Sequence, residues 1–253
     1  MKIAIVTGAS SGIGREFVKQ IDERRDLDEI WVLARRAERL EELKNTIKAK
    51  IVPISVDLCD NASVEILKNK LADEKPDVAL LVNAAGYGKI GTFEGLPIDD
   101  QCGMIELNAQ AMTKITYDVL PYMNKGAEIY QVCSRSGFHP VPYLTVYAAT
   151  KAYVLSFSRG LNVELKNKGI KVIAVSPGWV KTEFFDRAVL DDTTVVYYNS
   201  FVTAEQVVTR AFKDMKKGKD ISICGASTRF QVFIAKMFSH RFVMWIWCKQ
   251  QKK

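Results

Sequence analysis

Tyr147 and Lys151 stand four residues apart in the stretch VPYLTVYAATKAY, residues 141–153. On a helix, side chains at this spacing share one face. The phenol is a candidate proton donor, and the neighbouring ammonium is a candidate for the charge that tunes it. The same pair also occurs by chance on ordinary helix surfaces, so the spacing alone does not distinguish a reactive pair from surface residues.

A glycine-rich turn, TGASSGIG at residues 7–14, is a second candidate site because it joins the first predicted strand to the first predicted helix. Gly8, Gly12 and Gly14 allow the backbone to turn tightly and to approach a pyrophosphate, which can then bind the free N–H groups of the helix N-terminus. The spacing is wider than that of the common dinucleotide-binding pattern. A tight connection without a ligand is the alternative interpretation.

The elements that must position these residues are short apolar, β-branched runs alternating with longer amphipathic stretches. Most runs lack polar alternation, which is typical of strands buried on both faces of a parallel sheet. The predicted strands are residues 3–7, 30–34, 51–55, 78–82, 128–133, 171–175 and 220–224. This alternation predicts an α/β fold: a doubly wound, Rossmann-type, mostly parallel seven-stranded sheet with helices on both faces.

Helices are predicted between these strands from apolar stripes and from one cap. Residues 37–49 and 63–72 carry the stripes, and Thr203 with Gln206 forms a predicted capping box. The stripe residues are Leu40, Leu43 and Ile47 in the first stretch and Val64, Leu67 and Leu71 in the second. Because no repeat or linker interrupts the pattern, we predict one domain over residues 1–226 and a distinct segment over residues 227–253.

Composition and charge exclude several functional classes. Of 36 Lys and Arg residues, six follow Asp220, whereas none of the 29 Asp and Glu residues does. Six units of the net charge of +7 therefore lie after Asp220, which gives little support to nucleic-acid binding. The five cysteines are scattered without metal-site spacing, so we expect a reduced protein without a metal site. With neither a signal-peptide pattern nor a membrane-span run, the predicted location is cytoplasmic.

Four stretches in register carry a family resemblance: TGASSGIG, NAAG at 83–86, YAATK at 147–151 and SPGWVKT at 176–182. In this order they resemble the short-chain dehydrogenase/reductase family, in its compact single-domain branch, from residue 3 to about residue 224. The resemblance implies that residues 1–226 form a dinucleotide-binding and catalytic domain. It also implies a catalytic tetrad, which by position is Asn108, Ser134, Tyr147 and Lys151.

The chemistry implied by this tetrad is hydride transfer between a nicotinamide and a carbonyl or secondary alcohol. Negative charge grows on the carbonyl oxygen, so a proton donor must face it, and Tyr147 would supply the proton. A phenol titrates near ~10, and the Lys151 ammonium, together with an oxidised nicotinamide, is expected to lower that pKa. Ser134 would hydrogen-bond the same oxygen. By resemblance, Lys151 also binds the nicotinamide ribose, and Asn108 anchors a water relay.

The cofactor is expected to be NADP(H), because Arg35 and Arg36 follow the second strand where an NAD-binding chain would carry an acidic residue. One or both arginines starting a solvated helix is the alternative. Asp57 resembles the family's adenine contact, or else caps a helix, and Ala84 departs from the family pattern. The implied cofactor-binding residues are Gly8, Ser10, Ser11, Gly12, Ile13, Gly14, Arg35, Arg36, Asp57, Leu58, Asn83, Tyr147, Lys151, Pro177, Gly178, Val180 and Thr182.

The expected substrate is a small carbonyl or alcohol compound. The part of the sequence that bears most directly on it is the loop at residues 183–200. This loop lies where the family keeps its variable substrate loop, and its aromatic residues are consistent with an apolar substrate or with ordinary packing. They are Phe184, Phe185, Tyr197 and Tyr198. His139, with Phe138 and Tyr143, either lines the substrate entrance or is an ordinary loop residue. Cys133 is interpreted as a buried strand residue.

Residues 227–253 form an amphipathic basic segment that we expect to pack on the domain or at an interface. Its apolar stripe is broken at Ser239 and His240, which favours packing on the protein over a bilayer surface. The stripe comprises Phe230, Phe233, Ile234, Met237 and Phe238, then Phe242, Trp245 and Ile246. A homodimer or homotetramer is plausible. A non-catalytic dinucleotide-sensing regulator and a peripheral membrane reductase of lipids are the alternative functions.

Overall fold

The computed structural model describes residues 1–188, 195 and 201–252. Its strands are β1 Lys2–Thr7, β2 Glu29–Ala34, β3 Lys50–Ser55, β4 Asp77–Asn83, β5 Glu128–Val132, β6 Lys171–Val175, β7 Trp179–Val180, β8 Phe201–Val202 and β9 Ile221–Ser222. Seven of them form one sheet in the order β3-β2-β1-β4-β5-β6-β9, and β7 pairs with β8. Every neighbouring pair in the large sheet is parallel, so the predicted doubly wound sheet is confirmed.

The helices that connect these strands cover both faces of the sheet. They are α1 Gly12–Arg24, α2 Ala37–Glu41, α3 Asn61–Glu74, α4 Ile98–Ile105, α5 Met112–Val119, α6 Thr145–Glu164, α7 Phe184–Ala188, α8 Ala204–Lys216, α9 Ala226–Met237 and α10 His240–Gln250. Helices α1, α2 and α8 contribute to the apolar core on one face, whereas α3 and α5 contribute to the core on the other. This is the layering expected of parallel strands buried on both sides.

Strand β1 shows how the sequence separates the two cores. Ala4 and Val6 belong to the core under α1, whereas Ile3 and Ile5 belong to the core under α3. All four are completely buried. Because successive strand residues point to opposite faces, an uninterrupted apolar run supplies both cores, which is why such runs predicted these strands.

The helix predicted over residues 37–49 is shorter in the structure. The α-helix ends at Glu41, and a single 3-10 turn continues to Asn45. The Asp22 carboxylate accepts hydrogen bonds from the backbone N–H groups of Lys48 and Ala49. These bonds turn the chain towards β3, so the last part of the predicted helix is wrong. By contrast, the capping box of Thr203 and Gln206 at the start of α8 is confirmed.

The sheet order places a binding crevice between β1 and β4. From β1 the chain proceeds outwards to β2 and β3 and then returns to β4 on the other side of β1. The helices following these two strands therefore diverge, and their strands' carboxyl ends face an open crevice, the usual ligand position in doubly wound sheets. The glycine-rich turn follows β1, and Asn83 ends β4.

Helices α9 and α10 occupy the 227–253 segment and are joined at Phe238 and Ser239. Ser239 caps α10 by accepting a hydrogen bond from the Phe242 N–H, so the predicted break in the stripe is a helix boundary. In the described part of the chain, none of the helices combines the length and apolarity needed to cross a membrane.

Candidate functional site

A cavity of about 1020 Å³ lies at the carboxyl ends of the central strands. It is large for a small-molecule site and continues from the end of β2 to the start of α6. Most of the predicted site residues line it. They are Gly8, Ser10, Ser11, Gly12, Ile13, Gly14, Arg35, Arg36, Asp57, Leu58, Ser134, Tyr147, Lys151, Pro177, Gly178, Val180 and Thr182. Asn83 and Asn108 do not.

The glycine-rich turn forms the floor of the cavity, and its shape requires glycine at two positions. Gly8 has φ +66°, and a Cβ there would lie 2.7 Å from the Ala85 nitrogen. A Cβ on Gly14 would lie 2.3 Å from the Gly8 carbonyl oxygen. The first turn of α1 contains no acidic side chain. The turn therefore presents a helix N-terminus to the cavity, the arrangement that binds phosphate groups.

The end of the cavity beside β2 is rich in arginine. The Arg36 Nη2 donates a 3.1 Å hydrogen bond to the Ser10 hydroxyl, and its Nη1 lies 2.9 Å from a Glu183 carboxylate oxygen. Arg39 forms an ion pair with the other oxygen of Glu183. The two guanidinium groups lower the pKa of Glu183. This corner can therefore bind an anion. In the structure, the carboxylate of Glu183 occupies it.

Arg39 and Glu183 were not predicted as site residues. Arg39 carried a usable signal, because it lies in the first turn of α2, three residues after Arg36 at the N-cap. Glu183 carried none, since 147 residues separate it from Arg36. Arg35 was predicted, and its Nη1 lies 3.8 Å from the Asp57 carboxylate, with both side chains largely exposed.

Tyr147 and Lys151 lie in the first turns of α6 at the opposite end of the cavity. The Tyr147 ring packs on Phe184, with ring centroids 5.7 Å apart. Gly88 lies against both rings, since an added Cβ there would lie 2.8 Å from the Tyr147 Cδ2 and 2.9 Å from the Phe184 Cζ. The Lys151 Nζ donates a 2.8 Å hydrogen bond to the Val132 carbonyl at the end of β5. Both side chains are thereby fixed facing the cavity.

Burial, rather than the ammonium, dominates the titration of this pair in the protein alone. Burial raises the pKa of Tyr147, and a side-chain hydrogen bond with Ser134 opposes the shift. Burial also lowers the pKa of Lys151 to about 8. The sequence predicted that Lys151 would lower the pKa of Tyr147. The structure differs because removing both groups from water disfavours the phenolate and the ammonium alike.

Ser134 begins the turn that follows β5. Its hydroxyl accepts a 3.1 Å hydrogen bond from the Ser136 N–H and lies 3.2 Å from the Ser136 hydroxyl. Because Ser134 is buried and its hydrogen bond with Tyr147 acts on the phenol, the two hydroxyl groups converge on one point of the cavity. Cys133, the residue before Ser134, is buried as predicted.

Asn108 lies behind the cavity wall in a π-helical segment, Glu106–Ala111. Its Nδ2 donates to the Tyr87 carbonyl at 2.8 Å and to the Thr150 hydroxyl at 3.1 Å, and its Oδ1 accepts from the Tyr87 N–H at 3.0 Å. A Cβ on Gly86 would lie 2.8 Å from the Asn108 Oδ1 and 3.5 Å from the Lys151 Nζ. Asn108 therefore ties the chain following β4 to α6 at Thr150, the residue before Lys151.

Asn83 likewise supports the cavity without lining it. Its Nδ2 donates a 3.0 Å hydrogen bond to the Thr116 hydroxyl on α5. The neighbouring position is Ala84 instead of a second amide, and the backbone N–H groups of Ala84 and Ala85 both donate to the Thr7 hydroxyl. The connection that the missing amide put in doubt is therefore made by the end of β1.

The wall opposite the glycine-rich turn is formed by the chain after β6. The Pro177 carbonyl accepts a 2.9 Å hydrogen bond from the Arg135 N–H, which ties this wall to the turn containing Ser134. The Thr182 methyl lies 3.2 Å from where a Cβ of Gly12 would be. Two parts of the chain thus meet across the cavity where a nicotinamide is expected.

The predicted entrance residues are only partly at the cavity. Phe184 lines it, whereas Phe138, His139 and Tyr143 do not. His139 interacts through Nδ1 with the Pro140 carbonyl at 2.8 Å, and burial lowers its pKa. Tyr197 and Tyr198 fall outside the described residues.

These features fit a dinucleotide. The volume, the glycine-rich floor at a helix N-terminus and the arginine-rich corner match an extended ligand with phosphate groups. The hydroxyls of Tyr147 and Ser134 then lie at the far end, where the reactive ring of such a ligand would meet a substrate.

Comparison with known families agrees with this geometry. The family model described as short chain dehydrogenase matches residues 2–193. An uncharacterized oxidoreductase from Staphylococcus epidermidis is 30% identical over 183 residues, which cover 72% of this chain and 79% of that protein. A very-long-chain 3-oxoacyl-CoA reductase-B from Danio rerio is 37% identical over 193 residues, covering 72% of this chain and 60% of the relative.

Solved structures with the same fold include cofactor complexes. A short-chain dehydrogenase from Sphingobium yanoikuyae in complex with NADPH has a TM-score of 0.79, 26% identity and 93% coverage of both chains. A short-chain dehydrogenase/reductase from Burkholderia phymatum in complex with NAD has a TM-score of 0.78 over 92% of both chains. At 20% identity, this second structure shows a likeness of fold alone.

Proposed function

The chain belongs to the short-chain dehydrogenase family, and on that premise we propose that it is an NADP(H)-dependent oxidoreductase interconverting a carbonyl compound and a secondary alcohol. The observation that carries the proposal is one cavity with an arginine-rich anion site at one end and, at the other, the hydroxyls of the half-buried Tyr147 and the buried Ser134. A cofactor phosphate and a reacting carbonyl need those two environments at opposite ends of one ligand.

In the proposed reduction, Tyr147 donates its hydroxyl proton to the carbonyl oxygen, and in the oxidation it accepts the proton. The bound cofactor supplies or receives the hydride. Ser134 hydrogen-bonds the same oxygen as negative charge develops on it. Because burial raises the pKa of Tyr147, the phenol stays protonated before reduction and is ready to act as the acid.

Lys151 has two roles in the proposal. Its buried position, with Nζ held by the Val132 carbonyl, puts a positive charge near the Tyr147 ring, 5.7 Å from its centroid. That charge stabilises the phenolate left after proton transfer. Lys151 also faces the ribose position. Asn108 acts as a positioning residue, because it connects Tyr87 to the helix turn carrying Lys151.

The preference for NADP(H) over NAD(H) is proposed from the corner formed by Arg36, Arg39 and Ser10. Two guanidinium groups and a hydroxyl there suit a 2′-phosphate, which offers several acceptor oxygens and charge. Arg35 adds a third guanidinium at the rim of the cavity. In the structure, the Glu183 carboxylate pairs with Arg36 and Arg39, and the cofactor phosphate would replace it there.

The substrate is proposed to be apolar. Phe184 lines the cavity beside Tyr147, and both side chains pack on a buried apolar cluster that includes Ile90, Leu144 and Trp247. Apolar side chains of this kind favour a carbonyl compound with hydrocarbon on at least one side.

The test is Tyr147→Phe, which keeps the ring and removes the proton. We expect NADPH binding, measured by titration, to remain within about twofold of the unmodified protein, and NADPH oxidation with a panel of ketones to fall by ~10²-fold or more. Near-normal turnover would exclude Tyr147 as the donor. NADPH binding without turnover in the unmodified protein on any ketone would favour a dinucleotide-sensing regulator.

A further inference from the structure

The outward side of α9 and α10 carries a continuous set of large apolar side chains. Each is between 41% and 65% exposed. They are Phe230, Phe233, Met237, Phe238, Phe242 and Trp245. Three of the rings are in contact, since the Phe238 and Phe242 centroids lie 5.3 Å apart and Phe242 stacks on Trp245 at 5.9 Å. An exposed apolar surface of this size marks an interaction site.

The same helices are attached to the protein by their opposite sides. On α9, Thr228, Val232 and Ala235 are buried. On α10, Trp247 is buried and its Nε1 donates a 3.0 Å hydrogen bond to the Pro142 carbonyl. The outward apolar residues are therefore not part of the protein's own core. They form a surface that a partner from outside can cover.

The charged side chains of α9 and α10 themselves are all positive. No Asp or Glu follows Asp220, whereas Arg229, Lys236, Arg241 and Lys249 are on α9 and α10. All four are exposed. The Lys249 ammonium lies 4.6 Å from the Trp245 ring centroid, so cation and aromatic side chain are presented together. Aromatic and basic residues on one helix face are typical of helices that lie in a membrane interface.

We propose that the outward surface of α9 and α10 docks the protein on an anionic lipid bilayer. The apolar side chains enter the boundary between head groups and acyl chains, while the basic side chains meet the lipid phosphates. A second copy of this chain is a poorer partner for the same surface. A symmetric contact would bring two sets of basic residues together, and the segment contains no carboxylate to pair with them.

Docking in this orientation also suggests a substrate source, in a step that rests on the proposed function. Lys236 of α9 lies over the Phe138 ring in the turn after β5, and Trp247 of α10 contacts the loop before Tyr147. The two helices thus separate the bilayer from the loops flanking the candidate site by about one helix diameter, ~10 Å. The substrate class that fits is a carbonyl compound dissolved in the membrane.

The first test is co-sedimentation of the full chain with vesicles, without cofactor. We expect binding to phosphatidylcholine vesicles containing about 30% phosphatidylglycerol, and little binding to phosphatidylcholine alone. Phe230→Ser should weaken the binding roughly five- to tenfold, because an outward ring no longer enters the lipid. The matched control is Phe93→Ser, at a ring that is 65% exposed against 64% for Phe230 but lies far along the chain. It should leave binding unchanged.

The second test concerns charge. Removing two cations with Arg241→Gln and Lys249→Gln should weaken binding by at least tenfold, since each basic residue near an anionic surface is expected to contribute roughly fivefold. Lys19→Gln with Lys166→Gln removes the same charge from exposed positions elsewhere and should have little effect. Binding of the unmodified protein should fall as NaCl rises from about 0.05 to about 0.5 M.

Several results would overturn the proposal. One is equal binding by Phe230→Ser and Phe93→Ser, and another is absence of binding to the anionic vesicles. A dimer in solution that Phe230→Ser dissociates, without vesicle binding, would assign the surface to a second copy. Because none of these measurements involves turnover, they remain interpretable if the proposed oxidoreductase reaction fails. Conversely, if the docked protein reduced only water-soluble ketones, that result would reject the membrane-dissolved substrate and leave the docking proposal intact.

Discussion

At the scale of single residues, the candidate site combines groups that burial pushes towards neutrality with groups that stay charged near the rim. Tyr147 and Lys151 belong to the first kind, whereas Arg36, Arg39 and Glu183 belong to the second. The two kinds respond differently to substitution. Removing a buried charge changes stability, and removing a rim charge changes ligand selection.

Lys151 is expected to destabilise the free protein at neutral pH. Its folded pKa of about 8 lies below the ordinary value of 10.5, so the unfolded chain binds this proton more tightly. Its cost is therefore full below about pH 8 and declines as pH rises towards 10.5. We expect Lys151→Met to raise the free energy of unfolding by about 1–3 kcal/mol at pH 7, and to abolish turnover.

Denaturant unfolding of the free protein at pH 7 and at pH 10 measures this effect, with the exposed Lys166→Met as control. The stabilisation by Lys151→Met should shrink at pH 10, and Lys166→Met should change little at either pH. A stabilisation that is the same at both pH values would mean that the ammonium is not the source of the cost.

Glu183 is expected to compete with the cofactor phosphate. Its carboxylate occupies both Arg36 and Arg39, so Glu183→Gln should free the two guanidinium groups. We expect NADPH to bind about three- to tenfold more tightly, in the range for partly exposed ion pairs, and NADH affinity to stay unchanged. Fluorescence titration with both cofactors measures the ratio.

The matched control for that substitution is Glu42→Gln, which breaks the exposed ion pair with Arg15 outside the cavity. It should alter neither affinity. If Glu183→Gln improved NADH binding equally, the carboxylate would act on the loop after β6 in general and not on the phosphate position.

At the scale of elements, the sequence predicted the seven strands of the sheet because each is a continuous apolar run. It overextended the helix after β2, because the Asp22 side chain that binds the backbone of Lys48 and Ala49 lies in another helix. It also located Tyr147, Ser134 and the glycine-rich turn through local motifs. The ion pairs of Glu183 could not be predicted, since they join residues brought together only by the fold.

The junction of β1 and α1 has no space for a side chain at Gly14. A Cβ there would lie 2.3 Å from the Gly8 carbonyl oxygen, so the turn must open. We expect Gly14→Ala to lower the free energy of unfolding by about 2–3 kcal/mol and to weaken NADPH binding. Thermal unfolding and cofactor titration measure the two effects.

The same substitution at Gly160 provides the contrast. This residue is in the interior of α6, and a Cβ there meets nothing within 4 Å. Gly160→Ala should stabilise the protein by about 0.5–1 kcal/mol, because alanine is the better helix former. A destabilised Gly160→Ala would indicate that α6 is not the helix described.

At the scale of the whole molecule, residues 227–252 pack on the rest of the protein by one side and expose the other side to solvent. Two tryptophans separate these sides, because Trp247 is buried in the cluster beside Tyr147 and Trp245 is 53% exposed. We expect Trp247→Ala to lower the free energy of unfolding by about 3–5 kcal/mol. Trp245→Ala should change it by less than about 0.5 kcal/mol.

Denaturant unfolding of both variants measures this difference, and circular dichroism checks that each is folded. Comparable losses would show that both sides of α10 are packed on the protein in solution. That result would also weaken the case for a docking surface, since the outward side would already be covered.

The four tryptophans give the molecule separate optical reporters. Trp31 is enclosed in the sheet and Trp247 is buried with its Nε1 bonded to the Pro142 carbonyl, so neither side chain is expected to contact lipid at the proposed docking surface. Trp179 lines the cavity, so a reduced nicotinamide there accepts its excitation energy and dims it. Trp245 faces solvent, and lipid contact shifts its emission to the blue. Unlabelled protein in one cuvette thus distinguishes an occupied cavity from an occupied surface by intensity and by colour.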